Sequence, residues 1–244
     1  MAIKYLTIFL AWILSWPLLA ISLPNDFEAR YEVEKYGTVI AAMQLSLQHQ
    51  KQLITYHSNT RARGLLALIS NDKIDENSHL QQINNITTLI NYDYTRKKKP
   101  HDNQHYRLKI NSDGHTLING EYDKKAIQLN SPLPVWDKQS VQLALMSDIS
   151  RNTPFNTTYT YNIVDDGKFK QYQFEYLSNE TVRIGKKRYK TLKVKRQHDK
   201  QNKRVSYFWL APELNNLPVK IEQYKKGKLN LNMQLKDFKW TKHD

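Results

Sequence analysis

From residue 27 onward apolar and polar side chains alternate with a period of two, and that alternation constrains the fold more than any other feature of the chain. Phe27, Ala29, Tyr31 and Val33 interleave with Glu28, Arg30, Glu32 and Glu34, which puts apolar groups on one face of an extended strand and charges on the other. After a turn near Gly37 the pattern returns in Val39, Ala41, Met43, Leu45 and Leu47, and Leu53, Ile54 and Tyr56 suggest a third strand. Leu65 to Ile69, Ile86 to Tyr94 and Tyr106 to Ile110 follow. Asn111-Ser112-Asp113-Gly114 and Asp165-Asp166-Gly167 are hairpin signals, because Asn, Asp and Gly tolerate the positive φ that tight hairpin turns need. Later strands are expected over Thr157 to Val164, Phe169 to Tyr176, Tyr189 to Arg196, Val205 to Leu210, Val219 to Tyr224 and Leu229 to Leu235. About ten to twelve short strands with turns at regular intervals predict an all-β fold, an antiparallel β-barrel or strongly curved half-barrel.

One segment breaks the period. Between Asp137 and Arg151, Val141, Ala144, Leu145, Asp148 and Ile149 recur at helical spacing, and Asp137 is placed to cap the first turn. A single amphipathic helix of about four turns is expected, lying across the sheet or plugging one end of a barrel.

Residues 1–22 carry one positive charge at Lys4, an apolar run from Leu6 to Leu19, and the small residues Ala20 and Ser22. This is the layout of a secretory signal peptide, and the run is short for a bilayer span, which needs about 20 residues. The rival reading is a retained N-terminal anchor. The expectation is export to a bacterial periplasm, with residues 23–244 forming one β-barrel-like domain. The chain has no cysteine, so disulfides, thiolate metal sites and cysteine nucleophiles are excluded.

Four stretches, in order, resemble a known group of exported bacterial proteins: Phe27 to Gly37, Tyr56 to Leu68, Asp137 to Leu145, and Tyr207 to Ile221. The set is similar to the family of domain of unknown function 3108, from about Phe27 to Trp240. The resemblance implies an exported β-rich domain, related in shape to half-barrels that carry lipoproteins and lipids between membranes. It implies no catalytic residues. The Lys-rich segment after Tyr94 and the polar stretch from Asn71 to Asn85 depart from it.

The chain has 37 Lys and Arg against 23 Asp and Glu, a formal net charge of +14. The densest segment runs from Lys186 to Arg204. Its ten cations, Lys186, Lys187, Arg188, Lys190, Lys193, Lys195, Arg196, Lys200, Lys203 and Arg204, are expected to form a ribbon of positive potential for an anionic ligand or partner. Lysines that block edge-strand pairing are the alternative explanation. Arg96 to Lys99 is a second basic run, expected in a solvated loop. The aromatics Tyr159, Tyr161, Tyr172, Phe174, Tyr176 and Trp209 are expected either to fill the barrel or to line a cavity for an apolar ligand. Nucleic acid is not an expected partner, because the aromatics share faces with aliphatic core residues rather than with the lysines. A transmembrane barrel is disfavoured, since the alternate faces carry Lys and Glu.

His101 and His105 have a chelating spacing but sit in the polar stretch His101-Asp102-Asn103-Gln104-His105, so a chance pair is favoured over a metal site. His57 reads as a core or edge histidine. Ser58, Asp75, Glu76 and His79 make a hydrolase triad only on paper, with no nucleophile-elbow pattern. No catalysis, cofactor or metal is expected. The sequence points to a non-enzymatic envelope protein that binds a lipid-like, anionic ligand or an anionic membrane surface; the alternative is a scaffold that docks on an envelope protein through its basic edge. It carries no signal for an oligomeric state.

Overall fold

The computed structural model describes residues 23–241 apart from 65–66, 68–71, 85, 98–102, 111–114, 132–133, 152–156 and 198–203. The expected export segment, most of the expected Leu65 to Ile69 strand and His101 lie outside the described residues. The strands are β1 (Phe27–Lys35), β2 (Thr38–Gln50), β3 (Leu53–Ala62), β4 (Lys73–Ile83), β5 (Ile86–Arg96), β6 (Gln104–Ile110), β7 (Thr116–Tyr122), β8 (Lys125–Ser131) and β9 (Trp136–Asp137). Helix α1 (Val141–Arg151) follows, then β10 (Thr158–Asp165), β11 (Lys168–Ile184), β12 (Lys187–Gln197), β13 (Arg204–Ala211), β14 (Leu217–Lys225) and β15 (Lys228–Trp240).

All fifteen strands belong to one sheet, in the order β8 to β1, then β15 back to β9. Neighbours are antiparallel except the short β9–β10 pair. The first and last long strands, β1 and β15, lie side by side in the middle, Phe27 opposite Trp240 and Glu34 opposite Asn232. The sheet curls until its two ends meet. There the β10–β11 turn reaches across to β6: the Asp166 amide donates to Gln104 Oε1 (3.1 Å) and the Gly167 amide to the Tyr106 hydroxyl (2.8 Å). Gly167 has φ +70°, and a Cβ there would touch Tyr122 and Ile127, so this turn needs glycine both for its backbone and for its seat on the β7–β8 hairpin.

The strand count exceeds the expected ten to twelve. The polar stretch from Asn71 to Asn85 hides β4, whose inward row alternates polar and apolar groups, Glu76 and Ser78 with Leu80. The β7–β8 hairpin turns on Asp123-Lys124, both at positive φ, which carry no glycine to signal it.

Helix α1 has three turns rather than four. Val141, Leu143, Ala144, Leu145, Met146, Ser147 and Ile149 are all buried, so the helix is covered on nearly every side and lies inside the curl of the sheet. Asp137 accepts the amides of Gln139 (2.7 Å) and Ser140 (2.8 Å), so it holds the turn that precedes the helix rather than capping the first helical turn as expected. At the far end the Asn216 amide group donates to the Met146 carbonyl (3.1 Å) and Ser150 Oγ (2.6 Å), satisfying a carbonyl of the last turns. Asn216 and Asn215, both at positive φ, follow a 3-10 turn at Pro212–Leu214 that joins β13 to β14. The helix therefore fills the end of the barrel where β13 meets β14. No helix among the described residues is long and apolar enough to cross a membrane.

Candidate functional site

The helix leaves the other end of the barrel incompletely filled. A partly open cavity of about 570 Å³ runs from Tyr56, Ser58 and Gln139 beneath the start of α1 to Asp166 and Arg204 at the turns. Its size lies within the range of small-molecule sites. Met43, Leu45, Tyr56 and Met233 give it an apolar wall; Lys138, Lys170, Arg196, Arg204, Glu76 and Asp165 give it charge.

The floor is a buried polar network. The Gln139 side chain donates to the Tyr56 carbonyl (2.5 Å) and accepts from Ser58 Oγ (2.7 Å), which pins the turn before α1 to β3. Asp137 beneath it is fully buried, and burial raises its carboxyl above the ordinary range despite the hydrogen bonds from Ser140 and Gln139. The Tyr56 hydroxyl is buried and has no hydrogen-bond partner among the described residues.

Glu76 lies deep in the barrel but keeps part of its surface on the cavity. Burial pushes its carboxyl up to about 7, against the opposing pull of Lys138 and of the Tyr92 hydroxyl, which donates to it at 2.6 Å. Lys138 Nζ sits 3.3 Å from the centroid of the Tyr94 ring. On the opposite wall Lys170 bonds Asp165 (2.8 Å) and Asp166 (2.5 Å). Burial alone would raise Asp165, but Lys170 outweighs it and holds the carboxyl below its ordinary value. The Arg196 guanidinium stacks 3.2 Å over the Tyr172 ring, and Arg204 is exposed at the rim. The cavity thus has an apolar side, a cationic side and a carboxyl poised near neutrality.

A groove of about 510 Å³ on the outer face of β1, β2 and β15 is less suited to a ligand. Its charges are spent on each other, Arg30 with Asp237 and Lys239 with Glu28.

Of the aromatics expected to share one face, only Tyr172 lines the cavity. Tyr159, Tyr161 and Phe174 are buried and Tyr176 half-buried; Tyr161 donates to Asp148 of α1 (2.7 Å), and Phe174 meets Tyr161 and Phe208 edge-on. Trp209 departs from the set. It alternates with Phe208, so it points to the convex side, where its indole donates to Glu180 (2.7 Å) under Lys193 and Lys220.

The basic segment is likewise divided by pleat and partner. Lys186, Lys187, Arg188 and Lys190 are exposed at and beside the β11–β12 turn. Lys193 is tied to Glu180 (3.0 Å) and Lys195 to Glu175 (3.3 Å). Arg196 points inward and Arg204 lies at the opposite end of the barrel, so the eight described cations form no continuous ribbon; Lys200 and Lys203 lie outside the described residues. Arg96 belongs to β5 rather than to a loop and bonds Asp72 (2.6 Å).

The hydrolase set on paper is split by the same alternation. Ser58 and Glu76 face inward, while Asp75 and His79 face outward with His57 (3.3 Å from Asp75) and Thr55 (3.3 Å from His79). His105 bonds Asp93 on the outer face, and no group of three metal-ligating side chains occurs among the described residues.

A family model described as "Protein of unknown function (DUF3108)" matches residues 26–234. No curated protein matches the sequence. Among solved structures, the chain is similar to a β-barrel-like protein of domain of unknown function DUF1849 from Brucella abortus, with 10% identity and a TM-score of 0.60, over 91% of this chain and all of that one. At that identity the likeness is one of fold.

Proposed function

This chain belongs to the DUF3108 family, and for it we propose a non-enzymatic carrier or receptor role: its barrel cavity binds an amphipathic anion, an acyl chain ending in a carboxylate or phosphate. The observation that carries this reading is a half-open cavity whose lining joins an apolar wall of Met43, Leu45 and Met233 to the guanidinium groups of Arg196 and Arg204. The acyl part loses water against the methionines and leucine, and the acidic group meets guanidinium groups that can hold it with paired hydrogen bonds. The apolar run at residues 1–22 supports export, and with it a place in the periplasm and a ligand drawn from the cell envelope.

A second reading rests on Lys186, Lys187, Arg188 and Lys190, exposed together beside one turn: docking on an acidic envelope protein with no small ligand.

Titration with a dansyl-labelled fatty acid separates the two. Saturable binding with a blue shift is expected for the wild type. Arg204→Glu should weaken it by about tenfold, the loss of one charge-assisted contact. Lys190→Glu, remote from the cavity, should leave it unchanged. No saturable binding of the fatty acid by the wild type would favour the basic-tip reading, which needs no small ligand.

A further inference from the structure

The mouth of the cavity opens at the end of the barrel that carries the turns β1–β2, β7–β8, β10–β11 and β14–β15, and these turns share a composition. Lys97 after β5, Lys124 between β7 and β8, Lys168 at the start of β11, Arg204 at the start of β13 and Lys226 between β14 and β15 are all exposed. Lys225 and Lys228 flank Lys226 and pair across the hairpin. Among the described residues the acidic groups in the four turns are Asp123 and Asp166, and Asp166 is held by Lys170. At the opposite end the turns carry Gln52, Asn84 and Asn215, with cations at Lys51 and at the Lys186–Arg188 tip and with Leu53, Ile83, Ile86 and Trp240 exposed, so the two ends differ in the number of lysines around the turns rather than in apolar exposure.

Apolar tips stand among these cations. Tyr36, in the β1–β2 turn, is 84% exposed, and Lys35 reaches over its ring at 5.4 Å. Phe169 and Leu229 are 38% and 42% exposed, each one residue beyond a turn lysine. An exposed aromatic or aliphatic tip set among lysines is the arrangement that partitions into the headgroup layer of an anionic bilayer: the ring enters the interface and each lysine gains from the negative surface potential.

We propose that this end of the barrel docks on an anionic lipid bilayer, with Tyr36, Phe169 and Leu229 entering the headgroup region, so that the cavity mouth faces the membrane from which the ligand comes. The occupant is chosen by charge complementarity of the described turns, and the proposal rests on the cavity reading in assigning the ligand a lipid source. Docking through the collar is separable from binding in the cavity, because Lys225, Lys226 and Lys228 do not line it.

The absence of cysteine makes the orientation measurable on the full chain. Single variants Tyr36→Cys, Leu229→Cys and Ile83→Cys are each labelled with an environment-sensitive dye and mixed with vesicles of phosphatidylglycerol and phosphatidylcholine, or of phosphatidylcholine alone. Ile83 is exposed at the opposite end, the end at which Leu23 joins the fold and residues 1–22 would bring a membrane. The dye on Tyr36→Cys and Leu229→Cys should shift to the blue on anionic vesicles and not on neutral ones, and the dye on Ile83→Cys should not shift. Lys225→Glu, Lys226→Glu and Lys228→Glu together should reduce vesicle binding more than tenfold while fatty-acid binding stays at the wild-type level. A shift on Ile83→Cys alone means that the N-terminal run, not the collar, contacts the membrane. No shift at any position, or vesicle binding indifferent to the triple reversal, also overturns the proposal. In either case the fatty-acid titration still decides the cavity reading.

Discussion

Gly120→Ala is expected to destabilise the fold by about 3 kcal/mol, an overpacking loss of the size met when a side chain is forced against backbone. Gly120 lies opposite Tyr106 in the β6–β7 pair. A Cβ at this position would overlap the His105 carbonyl oxygen and come 2.8 Å from Tyr106 Cδ1. The carbonyl cannot rotate away without breaking the ladder. Tyr106 cannot yield either, because its hydroxyl donates to Gln104 (2.9 Å) and accepts from Gly167, the contact that draws the two ends of the sheet together. Gly227→Ala provides the control: φ is +75° there but open space surrounds it, so only the left-handed backbone penalty applies, about 1 kcal/mol. Urea unfolding of both variants measures the difference. Equal losses would mean that β6 and β7 approach less closely at Gly120 than the structure has them.

The second large effect is one of pH. Glu76 ionises near 4.5 when unfolded and near 7 when folded, so the folded state holds the extra proton between those values. Stability therefore falls as pH rises from about 4.5 to 7 and stays low above it, the reverse of the behaviour of a salt-bridged carboxylate. The full linkage is about 3 kcal/mol, and water in the half-open cavity reduces the expected loss to about 2 kcal/mol. Glu76→Gln keeps an acceptor for the Tyr92 hydroxyl but cannot ionise. It should match the wild type near pH 4.5 and exceed it by about 2 kcal/mol at pH 8. Denaturant midpoints across this range test the point. A variant less stable than the wild type at pH 8 would show that Lys138 and the Glu76 carboxylate stabilise each other by more than the burial costs.

Much of the fold was legible because burial on one face enforces alternation. Phe27, Ala29 and Tyr31 in β1 and the Asp165-Asp166-Gly167 turn lie where the pattern puts them, and α1 begins beside the Asp137 that marks it. Legibility failed where the interior is polar. Glu76 and Ser78 face inward beside Gln139 and the cavity, so β4 carries no clear apolar row, and the pattern that hid the strand is the pattern that makes the site. The cavity residues themselves come from distant segments, Met43 and Glu76 with Arg196 and Met233, and only the closure of β1 on β15 brings them together. The basic segment misled for the opposite reason: residues adjacent in sequence are divided by the pleat, Lys195 outward beside Glu175 and Arg196 inward over Tyr172. Trp209 stands apart from Phe208 by the same rule.

The central claim, that the barrel cavity is built to hold an amphipathic anion, is met most directly by native mass spectrometry of the full chain after gentle, detergent-free isolation, followed by solvent extraction. Wild-type protein should carry a stoichiometric added mass that extracts as an acyl carboxylate or phosphate, and Met43→Trp, which fills the apolar wall, should be folded and bare. Wild-type protein that is bare under these conditions and stays bare when offered fatty acid, or an added mass that Met43→Trp retains in full, would contradict it.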